Sequence, residues 1–398
     1  MRVQLWTCVV GVLGATRLAS AQSAITPFDM QFVYWVSADG SAVAGRYGVA
    51  ARWTLALGVQ PLAFQGNGVA YCSSTDGAVI VGEHNKLPFR WTQATGMVLL
   101  PLPTGGVPVT PTGARGVSGD GTIVAGSTYM PSPISRAFGT IWTNGVPMML
   151  TPQWPGNTEL LGISRNGVAV IGTTGGRGFY WTAAGGFVQI PPMPEQQPGN
   201  PGRVAPYAIN PDGTIIVGAR EPAPLAGWVP FRWRVGQAVE NLPKLPEYFH
   251  CVARGVSDDG RTIVGYGVDS SQPEDRAFIW KEGRGTMALT DYLAEVGVNV
   301  PAGTRLFNAY GLSASGLVIA GTGVINNLGP SYRVELPCPA NCDGSTAPPV
   351  LNVTDFICFL NKYAAGNSSA NCDASTTPPT LNIADFVCFQ TQFAAGCA

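Results

Sequence analysis

From residue 36 to 337 short apolar and β-branched runs alternate with glycine-bearing turns, and there is little helical periodicity. The clearest unit reads ARGVSGDGTIVAG at 114–126, then a variable stretch, then AFGTIWTNGVPMML at 137–150. It parses into four strands. An apolar strand (116–118) meets the Asp120-Gly121 turn, and a β-branched strand (122–125) follows and ends in glycine. An aromatic strand (137–143), the Asn144-Gly145 turn and a fourth strand (146–150) complete it. Asp-Gly and Asn-Gly both suit the two-residue type I′ hairpin.

The turn glycine recurs as Gly40, Gly77, Gly121, Gly167, Gly213, Gly260 and Gly316, at spacings of 37, 44, 46, 46, 47 and 56 residues. Units of this length suit four-stranded blades. One such unit leaves its edge unprotected, so neighbours must pack. The architecture expected is all-β, a seven-bladed β-propeller. The seventh unit stops after its third strand (331–335), while a spare strand-like segment (24–28) precedes the first. Supplying the missing strand from that segment closes the ring and removes the open edge. An open β-solenoid or two stacked sandwiches are the competing architectures; the match of a missing strand to a spare one favours the ring.

Within the repeat, Trp53, Trp91, Trp142, Trp181, Trp233 and Trp280 hold one column, with Arg333 in the seventh unit. Sixfold copying points to packing between blades rather than to sugar stacking. Asp39, Asp76, Asp120, Asp212 and Asp259 each open an Asp-Gly turn, which is reason enough for them.

The pattern changes after residue 337. NCDGSTAPPVLNVTDFICF at 341–359 returns as NCDASTTPPTLNIADFVCF at 371–389. Asn341, Asp343, Ser345, Asn352 and Asp355 thus recur as Asn371, Asp373, Ser375, Asn382 and Asp385. Oxygen side chains at alternate positions, then an Asn and an Asp three apart opening an apolar helix, form a calcium-loop pattern, because a hard cation collects oxygen ligands. Three inserted residues, with Pro348-Pro349 and Pro378-Pro379, and the loss of the sixth-position glycine depart from the twelve-residue standard. Two calcium ions are expected, held at roughly the 10⁻⁴–10⁻³ M of weak extracellular sites. The competing reading is that Asn352 and Thr354 only cap a helix.

Six of the nine cysteines lie in this tail: Cys338, Cys342, Cys358, Cys372, Cys388 and Cys397. Pseudo-symmetry favours Cys342–Cys358 and Cys372–Cys388, which leaves Cys338 and Cys397 to clasp the ends. Cys72 and Cys251 fall in units two and six, which are not neighbours, and are expected to be buried free thiols.

Arg2, the apolar stretch from Leu5 to Leu13 and Ala19-Ser20-Ala21 predict a secretory leader over residues 1–21, too short to span a bilayer. The domains expected are that leader, a propeller over 22–337 and a small disulfide-rich helical domain over 338–398. Crowded cysteines fit an oxidising compartment, so the expected location is extracellular or cell-surface, with no transmembrane segment. A net charge of −1 with 12% charged residues argues against a nucleic-acid partner.

The repeat core, with VSGDGTIVAG at 117–126, VSDDGRTIVG at 256–265 and FRWT at 89–92, resembles the extracellular HAF-repeat family over nearly all of 37–336. Asn166 and Ser315 depart from its turn aspartate. That resemblance implies secretion and a propeller-like fold, and no defined activity. The tail resembles the cysteine-bearing dockerins, through both LN-x-x-DF-x-CF runs. It implies calcium binding and attachment to a cohesin-like or cell-surface partner.

Catalytic candidates are few: two histidines, His84 and His250, no GxSxG or HExxH run, and scattered acids such as Glu83, Glu221 and Asp269 that read as solvated surface. Loop placement is more informative. The turns after strands one and three are tight. Those after strands two and four include long stretches at 103–113, 191–204, 219–229, 243–250 and 266–275. Long loops on a rigid scaffold are where binding resides. Tyr129, Trp154, Arg220, Trp228, Tyr248 and His250 gather there as candidate ligand contacts. The reading reached is a binding or scaffold protein, possible ligands including polysaccharide, docked through a calcium-dependent tail. A polysaccharide-active hydrolase or lyase, or a passive spacer of the cell envelope, are the alternatives.

Overall fold

The structure, a computed structural model, describes residues 25–63, 65–110, 112–192, 202–221, 227–269, 271–272, 274–326, 328–338, 340–345, 351–372, 375 and 378–395. The predicted leader and Cys397 therefore lie outside the described residues, as do Asp373 and part of the 191–204 loop.

Seven four-stranded antiparallel sheets follow one another along the chain. Blades one to six span 32–61, 68–99, 113–150, 158–189, 203–241 and 250–288. Blade seven takes three strands from 305–335 and its fourth from Ile25–Phe28, with Ile25 opposite Val334 and Phe28 opposite Ser331. The expected closure is present. The first strand of each blade adjoins the first strands of both neighbours and so lines the central axis.

The repeat residues explain the packing. A glycine inside each second strand (Gly45, Gly82, Gly126, Gly172, Gly218, Gly265, Gly321) faces an inner-strand carbonyl so closely that an added Cβ would lie 1.8–2.2 Å from its oxygen. Only a residue without Cβ fits, because each inner strand bulges at that point. An aromatic ring from the third strand covers the bare glycine in blades two, four, five, six and seven. Phe89, Phe179, Phe231, Phe278 and Tyr332 are fully buried there, each contributing roughly 2–3 kcal/mol of apolar burial.

The tryptophan column packs between blades as expected. Trp53 stacks on Phe28 of the closing strand, with centroids 4.6 Å apart, and Trp91 and Trp280 lie under Arg52 and Arg232 of the preceding blades. In blade seven the position belongs to Val334, paired with Ile319, and not to Arg333. Arg333 instead matches the arginine of FRWT. Arg90, Arg232 and Arg333 each donate to the turn-glycine carbonyl of the next blade, Gly121, Gly260 and Gly40.

The Asp-Gly turns differ from expectation. Type I′ needs positive φ at both central residues, and in these turns only the glycine has it (Gly40 φ 74°, Gly121 φ 75°). The chain makes a wider loop in which the glycine N–H donates to the carbonyl of the serine or asparagine three residues back. The serine hydroxyl donates to the aspartate and accepts the N–H five residues on, as in Ser118–Asp120 (2.5 Å) and Ile123–Ser118 (2.9 Å). A side chain that bonds its own loop favours this wider turn. Asn144-Gly145, with φ of 50° and 82°, does make the type I′ turn.

The 56-residue spacing before the last turn is explained by helix α1 (Leu289–Glu295), which the strand pattern did not foresee. Its Leu289 and Leu293 are buried between blades six and seven. The tail holds helices α2 (Val353–Ala364) and α3 (Ile383–Ala395). They pack through Phe359 and Phe389, stacked at 4.2 Å. Cys342–Cys358 and Cys372–Cys388 are bonded as expected, Cys338 is also disulfide-bonded, and Cys72 and Cys251 are buried and free. No helix among the described residues is long and apolar enough to cross a membrane.

Candidate functional site

The bulge in each inner strand pushes one side chain toward the axis, always three residues before the turn serine or asparagine. Around the ring these are Tyr34, Tyr71, Arg115, Leu161, Tyr207, Arg254 and Tyr310. All seven are half-buried. They touch in sequence around the axis. The Arg115 guanidinium lies 3.9 Å from the Tyr71 ring centre, Tyr71 is 5.3 Å from Tyr34, and Tyr34 is 5.9 Å from Tyr310. Arg254 then stacks on both Tyr310 (4.9 Å) and Tyr207 (4.2 Å). Leu161 of blade four interrupts this collar. Burial raises the phenol pKa of Tyr34, Tyr71, Tyr207 and Tyr310, so all four stay neutral near pH 7 and can both donate and accept hydrogen bonds.

Below the collar the turns are laced into a ring. Backbone N–H groups of Asp39, Thr75, Gly119, Asn166, Asp258 and Ala314 donate to carbonyls of the neighbouring turns, from Thr75 around to Ala38. Blade five carries Pro211 in its turn, which has no N–H, and there Asn210 Nδ2 makes the link to the Asp258 carbonyl (3.1 Å). Arg165 pairs with Asp258 across that same blade at 2.7 Å. The turn face is thus drawn together by bonds between every adjacent pair of blades.

The opposite face is uneven. Second and third strands join through tight turns in blades one, two and four, around Gly48, Asn85-Lys86 and Gly175-Gly176. The long 2–3 connections belong to blades five and six. Of the candidates named there, Trp228, His250 and Tyr129 are half-buried on the rim. The Trp228 N–H donates to His250 Nδ1 (3.1 Å), and Arg203 lies over the Trp228 ring at 5.7 Å. Tyr129 is held in a bridge with Val107. The others serve packing. Arg220 is buried and donates to the Pro191 carbonyl and to Asn241. Tyr248 is buried, with its hydroxyl on the Glu274 carbonyl, and Trp154 packs on Phe187. The structure does not bring these six into one site. Between blades six and seven lies a recess of about 250 Å³ lined by Glu274, Asp275, Phe307, Asn308 and Thr322. Burial raises the Asp275 carboxyl pKa.

In the tail, Asn352 does cap α2, accepting from the Thr354 N–H, and Asp355 completes a capping box. The cap does not use every oxygen. Asp355 is fully buried, accepts the N–H groups of Asp343 and Asn352, and has no cationic partner among the described residues. Asn341 Oδ1 is buried and unsatisfied, and Asn371 Oδ1, thirty residues on, is too. Hydrogen bonds from Thr354 and Ser345 lower the Asp343 carboxyl to about 2. Two carboxylates and an orphaned amide oxygen in the first loop, with Asp385 buried in the second, suit an oxygen-loving cation. The outer faces of the two helices expose Val353, Ile357 and Leu360 and, at matching places, Ile383 and Val387.

The axial collar was missed by the sequence reading, although it is one column of the repeat. Its signal is a Tyr or Arg standing inside an otherwise apolar strand at a fixed distance before the turn.

No family model matches the sequence, and no curated protein matches it. Solved structures resemble the fold. An oligogalacturonate lyase in complex with manganese aligns over 79% of this chain and 91% of its own, at 13% identity and a TM-score of 0.52. Hydrazine synthase from Kuenenia stuttgartiensis aligns over 82% and 99%, at 14% identity and a TM-score of 0.46. TolB from Acinetobacter baumannii aligns over 67% of this chain and 63% of its own, at 14% identity and a TM-score of 0.44. At these identities the likeness is one of fold: the chain is a seven-bladed propeller with a small disulfide-bonded helical tail.

Proposed function

We propose that this is an exported recognition protein whose propeller meets its ligand on the long-loop face and whose tail is a calcium-ordered docking module. The observation that carries the docking half is the apolar stripe repeated on α2 and α3. Ile357 is 51% and Val387 54% exposed on so small a domain, and Val353 and Ile383 are more so. Repeated apolar side chains on an outer face suit a protein partner, here a cohesin-like or cell-surface protein. The calcium half is supported by the paired orphan oxygens of Asn341 and Asn371 beside buried Asp355 and Asp385. Calcium would be held by Asn341, Asp343, Ser345, Asn352 and Asp355, and by their repeats, and would satisfy the Asn341 and Asn371 amide oxygens.

Calorimetric titration of the full chain with calcium tests this. Heat and a rise in the tail's melting temperature are expected at millimolar metal, since an ion that binds only the folded form stabilises it. Asp355→Ala with Asp385→Ala should remove both. A flat titration would reduce the tail to a disulfide-held fold without ions. The hydrolase or lyase alternative has one foothold, the Asp275 carboxyl in the recess between blades six and seven. Turnover of a polysaccharide, lost in Asp275→Asn, would establish it.

A further inference from the structure

Among the described residues eight arginines form ion pairs: Arg165, Arg232, Arg234, Arg261, Arg276, Arg284, Arg305 and Arg333. The collar arginines Arg115 and Arg254, and Arg46 on the second strand of blade one, differ. Arg46, Arg115 and Arg254 all act electrostatically on the Tyr34 phenol. None of the three forms an ion pair among the described residues. Arg46 Nε is buried with no hydrogen-bond partner. Glu83 interacts electrostatically with Arg115 and Tyr71. Like charges gathered in a partly dehydrated channel repel one another, and an anion placed among them removes that penalty.

We propose that the axial collar binds the carboxylate of an acidic sugar, a uronate residue that enters from the long-loop face. Guanidinium groups match a carboxylate in shape and charge. The neutral phenols of Tyr34, Tyr71, Tyr207 and Tyr310 can donate to or accept from ring hydroxyls, and their faces offer apolar surface to the sugar's C–H groups. A bare phosphate or sulfate would answer the charge and could accept from the phenol hydroxyls, but would bring no C–H surface to the ring faces. Access fits the same direction. The turn face is laced by bonds between every adjacent pair of blades. Two residues before the collar position, toward the loops, blade five carries only Ala205, while in blade three the Glu83 side chain lies over Gly113, its carboxylate 3.5 Å from where a Cβ would sit. This deepens the recognition reading and rests on its choice of face; it is independent of the tail.

The test is calorimetry on the full chain with galacturonate and glucuronate di- and trisaccharides, their neutral galactose and glucose counterparts, sodium acetate and sodium sulfate. An acidic oligosaccharide should bind, with its neutral counterpart at least about tenfold weaker. Arg115→Met and Arg254→Met should each weaken binding by about tenfold or more, Arg254→Lys should retain part of it, and Glu83→Gln should leave it equal or tighter. Unchanged melting curves in these variants would exclude a folding defect. Equal binding of acidic and neutral sugars, or acetate and sulfate binding as tightly as uronate, would overturn the assignment. Loss of uronate binding in Trp228→Ala, with the arginine variants unaffected, would move the site to the rim; the recognition reading would stand and the collar proposal would fall. No uronate binding at all would overturn the collar proposal while leaving the calcium titration to judge the tail.

Discussion

The propeller and the tail solve the same problem, holding a fold together, by opposite means. The propeller contains two cysteines, both buried and free. It is held by seven apolar clusters among the described residues, one between each adjacent pair of blades, by arginines reaching into the next blade and by the strand at 25–28 that closes the last sheet. Among the described residues the tail's buried apolar core is Ala340, Phe359, Ala370 and Phe389, and the tail depends on disulfides and helix caps. The difference follows from size. A ring of seven blades buries enough apolar surface to offset chain entropy, whereas a domain of some sixty residues does not without covalent or metal staples.

Breaking the ring at its seam should have the largest effect. Ile25 and Phe28 are buried in the closing strand, and Phe28 stacks on Trp53. Ile25→Ala with Phe28→Ala should cost roughly 5 kcal/mol or more and lower the propeller's melting transition, leaving the tail's calcium response intact. A propeller transition that does not move would mean that the seam is not what holds the ring.

Removing the staples comes next. Each of the two described tail disulfides closes a loop of 16 residues, so replacing a pair by serine should cost about 3 kcal/mol and unfold the tail alone. Thiol labelling sharpens the contrast. Burial pushes the Cys72 thiol up to about 12 and the Cys251 thiol to about 11, so neither should react in native, reduced protein at pH 7–8 while the tail cysteines do. Labelling of Cys72 in the native state would show that the blades open.

The smallest effect expected is at the turns. Asp120 is held below the ordinary carboxylate range by hydrogen bonds from Ser118 and Thr122, and Asp76 by Ala78 and Ser74. A depressed folded-state pKa gives stability that is full above the unfolded value and is lost as pH falls through the folded one. Acid should therefore loosen these turns only below about pH 4. At pH 7 Asp120→Asn should change stability by no more than about 0.5 kcal/mol, because Asn166 already makes the same bonds in blade four. Its effect is read from the melting temperature against pH: the variant's acid slope should be shallower than the parent's, and equal slopes would count against the turn carboxylates.

Blade number, the seam and both described disulfides were legible in the sequence because each is written as a repeat or as a gap in one. Seven turn glycines count the blades, a missing fourth strand beside a spare one predicts the closure, and a thirty-residue duplication pairs the cysteines. The turn geometry was misread because Asp-Gly alone suggests a two-residue hairpin, and the serine two residues earlier, which widens the loop, was not weighed. The rim candidates follow from loop placement and side-chain type, and neither fixes the direction in which a side chain points. Arg220 and Tyr248 have the right chemistry and point inward to structural partners.

What the sequence determined by itself is the repeating unit, since strand period, turn glycine and the residue that must lack a Cβ are all local requirements. What only the tertiary structure decided is which column meets at the axis. Tyr34 and Tyr310 stand 276 positions apart in the chain, yet their rings lie 5.9 Å from each other. Ring closure brings every inner strand to one line, and a bulge at the same step in each turns a scattered column of tyrosines and arginines into a single surface.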